Sequence, residues 1–319
     1  MHEFELIKNY FQKLTKKSSG ALNLNDDVFF DKKNKLVVSI DTYTEGNHFL
    51  DFKKPDLVIK KIIRSSISDI ICKGVKPKYY FISASGNKKK FTKLNLSKIS
   101  KSLNQEQNKY KILLTGGDTV FSNKLSFTIT SIGFANNITY RNHAKFNDDI
   151  YVSGNLGDSY LGLLVLKNEI KLNPRLEKYF TNQYFMPNIQ LKLIDQIKKF
   201  ANTSIDISDG LLADLDKMIN NQKLSYKLFL KDIPISNNLK KILDLKKLSK
   251  INYISNGDDY QVLFTASKNK TRIIKKIASN CRVKLTKIGS IRSLGEKSSI
   301  IDDKNRQITF KNKGYFHKF

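Results

Sequence analysis

The sequence predicts an α/β or α+β protein of two domains. Segments with strand patterns alternate with helical patterns along the chain. The 319 residues exceed the usual size of a single hydrophobic core, and 40% of them are hydrophobic, which is enough for two cores. A polar stretch at residues 136–149 marks the expected boundary. We therefore place the N-terminal domain at residues 1–138 and the C-terminal domain at residues 139–319.

Six segments have the composition of strands, because they are rich in β-branched and aromatic residues and end in turn formers. They are residues 35–43, 78–86, 110–117, 125–135, 148–154 and 260–266. The clearest helix covers residues 55–72, where apolar side chains recur at helical spacing. Pro55 suits the first helical position and Gly74 suits the C-terminal cap.

The first residues predict a short amphipathic helix. Phe4, Ile7, Phe11 and Leu14 share one helical face. Such a face suits a membrane surface, but we expect it to pack on its own domain. No apolar run approaches the length that spans a bilayer, and the start of the sequence lacks a signal-peptide pattern. The expectation is a cytoplasmic protein with no membrane partner.

The chain is strongly basic, with 57 Lys and Arg residues against 29 Asp and Glu residues. This charge favours anionic partners such as nucleotides, phosphorylated metabolites, nucleic acid or a membrane surface. The lysines are scattered in pairs and triplets, and no RRM, KH or zinc-finger pattern is present, so we expect a solvated basic surface and no nucleic-acid partner. Cys72 and Cys281 lie far apart without a CxxC context, which argues against disulfide, zinc and iron–sulfur chemistry.

The scarce acidic residues are clustered. The stretch SIDISDGLLADLD, residues 204–216, holds four aspartates in thirteen residues. Other aspartates stand where a predicted strand or helix meets a turn: Asp26, Asp27, Asp41, Asp69, Asp118, Asp258 and Asp259. Mg²⁺ takes oxygen ligands, typically one or two carboxylates together with substrate phosphates. The clusters therefore favour several magnesium ions that hold a polyphosphate.

Two of these positions carry a further signal. Asp69 lies in the last turn of the predicted helix, where the helix dipole disfavours a negative charge. It is therefore either functional or paired with a lysine such as Lys73. In GGDT, residues 116–119, the paired glycines let backbone amides approach a phosphate, while Asp118 could bind its metal.

Other chemistries have little support in the sequence. The four histidines form no HExxH pair, and GxSxG, GxxxxGK[ST] and the EF-hand spacing are absent. The stretch GNLGDSYLGL, residues 154–163, has the pattern of a glycine turn that opens a helix, with Asp158 and Ser159 as candidate caps. Covalent catalysis is therefore poorly supported.

Taken in order, the motifs resemble the thiamine-monophosphate kinase family, in the fold group of aminoimidazole ribonucleotide synthetase. The resemblance spans nearly the whole chain, and SIDTYTEGNHF at residues 39–49 is its most specific part. The other matching stretches are NDD (25–27), SISDIICKGV (66–75), GGDT (116–119), RNHAKFNDDIYVSG (141–154), GDSYLGL (157–163), SIDISDGLLADL (204–215), NGDDYQVLFT (256–265) and the ending KGYFHKF.

The resemblance implies a step of thiamine biosynthesis, in which ATP and thiamine monophosphate give ADP and thiamine diphosphate. It implies a mixed N-terminal sheet that pairs across a homodimer, and ATP near the domain junction. The implied magnesium ligands are Asp27, Ser39, the backbone of Ile40, Asp41, Asp69, Asp118, Asp206 and Asp209.

The same resemblance implies substrate contacts. ATP would contact Arg141 and Ser208, with Gly117 and Asp118 at its phosphates. Thiamine monophosphate would contact His48 and Asp258, and the tail from Asn312 to Tyr315 would close over it. No catalytic acid or base is assigned, because the acceptor phosphate is already anionic and positioning with charge neutralisation carries the reaction.

The chain departs from the family pattern at four places. Asn25 stands where the family usually has glycine, Asp258 replaces the usual glutamate, Asn312 replaces an aromatic residue, and FMPNIQ (185–190) lacks two arginines. These departures keep open a degenerate homologue that binds nucleotides without turnover. Another ATP-using enzyme of the same fold group is a second alternative, although its selenophosphate and hydrogenase-maturation members would need cysteines that this chain lacks. A basic nucleic-acid-binding protein whose acidic residues are structural is a third.

Overall fold

The N-terminal half builds one mixed sheet with helices against it. The computed structural model describes residues 3–293, 295–308 and 314–315. The sheet has the strand order β1-β2-β5-β3-β4; β3 and β4 are parallel and the other neighbours are antiparallel. Its elements are α1 (Glu3–Leu6), β1 (Phe29–Asp31), β2 (Leu36–Thr44), α2 (Pro55–Cys72), β3 (Pro77–Gly86), α3 (Lys93–Tyr110), β4 (Leu113–Phe121) and β5 (Ser126–Phe134).

Helix α2 is the centre of this half. It begins at Pro55, whose fixed φ suits a first helical position, and its isoleucines pack into a core with β2 and β5. The helix ends because Gly74 takes a left-handed backbone, with φ of +74°, which lets Val75 N–H donate to the Ile70 carbonyl. Both ends and the buried face of α2 therefore follow from its sequence.

The C-terminal half builds a second sheet, with the order β11-β8-β10-β6-β9-β7. A core of apolar side chains from both sheet and helices fills this half. Its elements are β6 (Asp149–Ser153), α4 (Asp158–Leu166), α5 (Pro174–Phe185), α6 (Ile194–Ile197), β7 (Thr203–Asp206), α7 (Leu211–Met218), β8 (Leu224–Phe229), α8 (Asn237–Lys246), α9 (Lys250–Ile254), β9 (Val262–Ala266), α10 (Thr271–Cys281), β10 (Leu285–Ser293) and β11 (Ser299–Ile301).

The C-terminal end of α2 joins the two halves. The Cys72 carbonyl accepts a hydrogen bond from Ser204 Oγ at 2.6 Å, and the Ser204 carbonyl accepts one from Lys73 Nζ at 3.0 Å. Halfway along α2, Arg64 Nη1 donates to the Pro187 carbonyl at 3.3 Å. These contacts seat the last turn of α2 beside β7, so the acidic residues of both elements meet at the junction.

The predicted fold class, the two-domain layout and the helix at 55–72 are confirmed. Five predicted strands coincide with β2, β3, β5, β6 and β9 to within two residues. Within the described part of the chain, no helix has the length and apolarity to cross a bilayer.

The predicted strand at 110–117 is wrong in its bounds. Helix α3 includes Tyr110 and ends where Lys111 takes a left-handed backbone. Strand β4 then runs from Leu113 through GGDT to Phe121, because it pairs in parallel with β3 over that whole length. GGDT therefore lies inside a strand, where the prediction had it after one.

Two local predictions are also wrong. Phe11 and Leu14 are 48% and 78% exposed, so these two positions of the expected face are not buried. The chain continues from α1 as a π-helical and then a 3₁₀ turn. The start of α4 has Gly157 at its cap, and neither Asp158 nor Ser159 caps it. Asp158 instead accepts hydrogen bonds from Tyr179 and Ser236.

Candidate functional site

Three carboxylates from separate elements meet at the domain junction. Asp41 comes from β2, Asp69 from the last turn of α2, and Asp206 from the end of β7. We call these the junction carboxylates. Asp41 shares a hydrogen bond with Asp69 and accepts another from Tyr43 OH at 3.2 Å. Strand register fixes Asp41 on the helix-facing side of β2, because its neighbours Ser39 and Tyr43 are buried on that side.

The junction carboxylates are short of positive charge. Burial and then mutual repulsion raise the pKa of Asp69 well above its ordinary value. Burial raises the pKa of Asp41 to about 6, and burial with the nearby Asp27 raises the pKa of Asp206 to about 8. Asp206 Oδ2 is buried without a hydrogen-bond partner among the described residues. A divalent cation would supply the missing charge and the missing partner.

The junction carboxylates therefore have the chemistry that fits magnesium. Across residues 3–293, 295–308 and 314–315, no three His, Cys, Asp or Glu side chains stand as a ready coordination sphere. Mg²⁺ does not require such a set, because it keeps several waters and is usually held by one or two carboxylates with substrate phosphates. Ser39, another predicted ligand, is buried and donates to the Ser66 carbonyl at 3.3 Å, and Ile40 is 66% exposed on β2.

Asp27 differs from the junction carboxylates because it is already paired. Lys73 Nζ lies 2.8 Å from Asp27 Oδ2, and Arg141 Nη1 lies 3.2 Å from Asp27 Oδ1. Burial alone would raise the pKa of Asp27, but the ammonium and the guanidinium hold it well below its ordinary value. Arg141, the predicted ATP contact, also donates to the Lys217 carbonyl from Nη2 at 2.7 Å.

The SIDISDG segment forms a tight turn between β7 and α7. Asp214 Oδ2 accepts from the backbone N–H groups of Asp209 and Gly210, at 2.9 and 3.1 Å. Gly210 has φ of +121°, and a Cβ there would lie 2.4 Å from the Ser255 carbonyl oxygen, so only glycine fits. Asp209, a predicted metal ligand, forms an ion pair with Lys217.

His48 and Asp258, the predicted substrate contacts, lie close to Tyr184. Tyr184 OH donates to the His48 carbonyl at 3.3 Å, and the Tyr184 carbonyl accepts from Lys61 Nζ at 3.4 Å. Lys61 Nζ lies 3.8 Å from the centre of the Tyr184 ring and 2.6 Å from Asp258 Oδ1. His48 Nδ1 accepts from Thr44 N–H at 3.0 Å, so a neutral His48 carries its proton on Nε2.

Backbone contacts link the residues around Tyr184 to the SIDISDG turn. The Ser208 carbonyl accepts from Asp258 N–H at 2.8 Å, so the predicted ATP contact and the predicted substrate contact share a hydrogen bond. Tyr315 N–H donates to the Asp209 carbonyl at 3.0 Å, which returns the tail to the turn. Asn312 lies outside the described residues.

Asp118 and Gly117 are not brought to this site within one chain. Gly117 pairs with Ile82, Ile82 with Ile129, and Ile129 with Asp41, so three strand spacings separate β4 from β2. At about 4.8 Å per spacing, that is roughly 14 Å, too far for one ion to bridge. The role of Asp118 as a magnesium ligand stays a prediction.

Sequence reasoning missed Lys61 and Tyr184. It named Lys73 only as a possible partner of Asp69, whereas Lys73 pairs with Asp26 and Asp27. Lys61 and Lys73 are fully buried lysines, which need a compensating carboxylate. In a chain with 57 basic residues, nothing local marks these two as different. Lys61 does stand among the isoleucines of the predicted helix, and that apolar context is the one available signal.

Comparison with known proteins identifies the relatives of this chain. The family model described as AIR synthase related protein, N-terminal domain, matches residues 24–135. Thiamine-monophosphate kinase of Buchnera aphidicola from Acyrthosiphon pisum is 33% identical over 99% of this chain and 98% of its own length. The enzyme from the Schizaphis graminum strain is 34% identical over 99% and 98%. A solved structure described as AaThiL complexed with AMPPCP and TMP has a TM-score of 0.85, with 27% identity over 99% of this chain and 97% of that chain.

Proposed function

Because this chain belongs to the thiamine-monophosphate kinase family, we infer that it transfers the γ-phosphoryl group of ATP to thiamine monophosphate, forming thiamine diphosphate. The observation that carries this proposal is the set of junction carboxylates, Asp41, Asp69 and Asp206. Buried carboxylates that lack counter-charge suit a reaction whose substrate is a metal-bound polyphosphate. Since the co-substrate is ATP, we place the reaction in the cytoplasm.

Magnesium would be held by the junction carboxylates, with Ser39 and the backbone of Ile40 as further ligands. Asp209 would join them only by giving up its ion pair with Lys217. When bound, magnesium neutralises charge on the phosphates of ATP. The protein's own residues position the reactants. Arg141 contributes a guanidinium at the junction, and Ser208 and Gly210 present the turn that faces the nucleotide. No side chain has to remove a proton, because the acceptor oxygen belongs to an anionic phosphate.

The acceptor would bind on the Tyr184 side of the junction. His48 Nε2–H and the carboxylate of Asp258 supply a donor and an acceptor there, and Tyr315 closes the pocket from the tail. Asp258 Oδ1 is held by Lys61 and by Tyr260 OH at 3.1 Å. Its Oδ2 is then the oxygen available to the substrate.

We further propose a homodimer that closes the open edges of the N-terminal sheet. Val120 and Phe121 on β4 are 51% and 76% exposed, and Ile40 on β2 is 66% exposed. Among the described residues, β1 covers only residues 36–38 of β2, so the rest of that edge is open. A partner strand β4 paired there would bring Asp118 of the partner subunit beside Asp41, which one chain alone does not achieve.

The test is a product assay with matched variants. Purified protein is incubated with Mg²⁺, ATP and thiamine monophosphate, and the thiamine species are separated by chromatography. Asp41→Asn and Asp206→Asn should abolish thiamine diphosphate formation, whereas Asp195→Asn, an exposed aspartate on α6, should not change it. ADP without thiamine diphosphate would refute the acceptor and favour another enzyme of the fold group. Nucleotide binding without either product would favour a degenerate homologue.

A further inference from the structure

Lys73 is a fully buried lysine at the edge of the proposed metal site. Its Nζ lies 2.8 Å from Asp26 Oδ1 and 2.8 Å from Asp27 Oδ2, and it donates to the Ser204 carbonyl at 3.0 Å. Taking an ammonium out of water is costly unless carboxylates compensate for it. The position is therefore specific: Lys73 follows α2 directly and points its charge into the junction, away from solvent.

Arg141 completes this group. Its Nη1 lies 3.2 Å from Asp27 Oδ1, and its backbone N–H donates to Asp26 Oδ2 at 2.8 Å. Asp26, Asp27, Lys73 and Arg141 form what we call the ion-paired corner. Two carboxylates there face two cations, so the corner is balanced in charge. Among the described residues, no junction carboxylate forms an ion pair with a lysine or arginine, whereas both carboxylates of the corner do.

We propose that the Lys73 ammonium is a built-in cation that neutralises Asp26 and Asp27 in place of a divalent ion. The chain then binds metal only at the junction carboxylates, outside the ion-paired corner. The inference rests on the proposed function, because it presumes a magnesium site at the junction. A magnesium ion about 2.1 Å from Asp27 Oδ2 would lie within about 5 Å of the ammonium. At that separation in a buried site, the two cations repel strongly. Lys73 would thereby confine the metal to Asp41, Asp69 and Asp206.

This assignment gives Lys73 a role that differs from simple packing. A structural lysine would stabilise the fold without changing how many ions bind. A built-in cation sets that number, because its removal exposes Asp26 and Asp27 as free metal ligands. The number of bound ions is therefore the measurement that separates the two roles, and it does not depend on turnover.

The experiment counts Mn²⁺ ions bound per chain in the presence of AMPPCP, from the loss of the free-Mn²⁺ EPR signal. Lys73→Met should bind one ion more than the wild type, and its melting temperature should rise more on metal addition. Lys76→Met makes the same change at an exposed lysine three residues later and should leave the count unchanged. An unchanged count in Lys73→Met overturns the inference.

A second variant decides the matter if Lys73→Met does not fold. Asp27→Asn in the otherwise wild-type chain should leave the ion count unchanged, because Lys73 already satisfies that carboxylate. Asp206→Asn should lower the count and shows that the assay detects a lost ion. Loss of an ion in Asp27→Asn overturns the inference and leaves the proposed function standing. A wild type that binds no Mn²⁺ overturns both the inference and the metal part of the proposed function.

Discussion

Replacing Glu106 by glutamine should destabilise the protein by about 3–5 kcal/mol. Arg64 on α2 forms a two-point ion pair with Glu106 on α3, with Nε–Oε2 of 2.8 Å and Nη2–Oε1 of 3.0 Å. Both side chains are buried, with exposed fractions of 7% and 3%. The isosteric change keeps the volume but removes the charge, so it leaves a buried guanidinium without its counter-ion.

The expected shift in melting temperature follows from the size of the chain. Unfolding entropy of about 2.1 cal/mol/K per residue gives roughly 0.7 kcal/mol/K for this chain, so the loss corresponds to about 4–7 °C. Replacing both partners, as Arg64→Met with Glu106→Leu, should recover most of that loss, because a buried ion pair is close to neutral against apolar side chains of similar size. A double-mutant cycle made of Arg64→Met, Glu106→Leu and the variant with both changes should therefore show strong coupling between the two positions.

The assay is thermal unfolding followed by circular dichroism, with Glu169→Gln as the control at an exposed glutamate. That control should melt within about 1 °C of the wild type, as expected for a surface substitution. Two results would refute the reasoning. The first is a Glu106→Gln protein that melts with the wild type. The second is a double variant as unstable as the single one, which would mean that packing, not the buried charge, sets the loss.

Three further predictions follow from the same structure. Lys61→Met should raise the KM for thiamine monophosphate and leave the KM for ATP unchanged, because Lys61 holds Asp258. Equal rises of the two KM values in steady-state assays would contradict this. Because burial and neighbouring carboxylates raise the pKa of Asp206 to about 8, the folded metal-free protein retains a proton that the unfolded chain releases. Its melting temperature should therefore fall as pH rises from about 5 to 8, and Mg²⁺ or Asp206→Asn should flatten that fall in pH-scanned melting curves. Phe121→Glu should convert the proposed dimer into a monomer, and light scattering would measure the change in mass. Lys124→Glu, a charge change in the following loop, should leave the dimer intact.

Local sequence signals predicted the elements whose boundaries are set locally. The helix at 55–72 was predictable because Pro55, the isoleucine spacing and Gly74 all act within its own span. Strand β4 was not, because its length depends on parallel pairing with β3, some thirty residues earlier. The prediction of a buried N-terminal face was wrong for a related reason. Apolar spacing indicates which side chains share a face but does not supply a surface to bury them.

The acidic residues of the site and Arg141 were named from the sequence, but its buried lysines could not be assigned their partners in that way. Asp41, Asp69 and Asp206 stand in motifs and at element ends, so the sequence marks them. The role of Lys73 is visible only from its ion-pair partners, and one of them, Asp26, lies 47 residues earlier in the chain. Asp118 is the opposite case, and its role as a magnesium ligand stays a prediction. Its motif marks it clearly, yet sheet order places it about three strand spacings, or roughly 14 Å, from Asp41.

Helix α2 carries the residues that set the geometry of the whole site. Lys61 fixes Asp258 on the acceptor side, Asp69 belongs to the junction carboxylates, and Lys73 sits at the ion-paired corner. Lys61 and Asp69 are eight residues apart, or about 12 Å along a helix axis. The sheet, α3 and β7 hold this helix on several sides, so that distance is fixed by helical rise and not by a loop. In the proposed reaction, thiamine monophosphate would meet Asp258 at one end and the phosphates of ATP at the other, as phosphoryl transfer between two bound substrates requires.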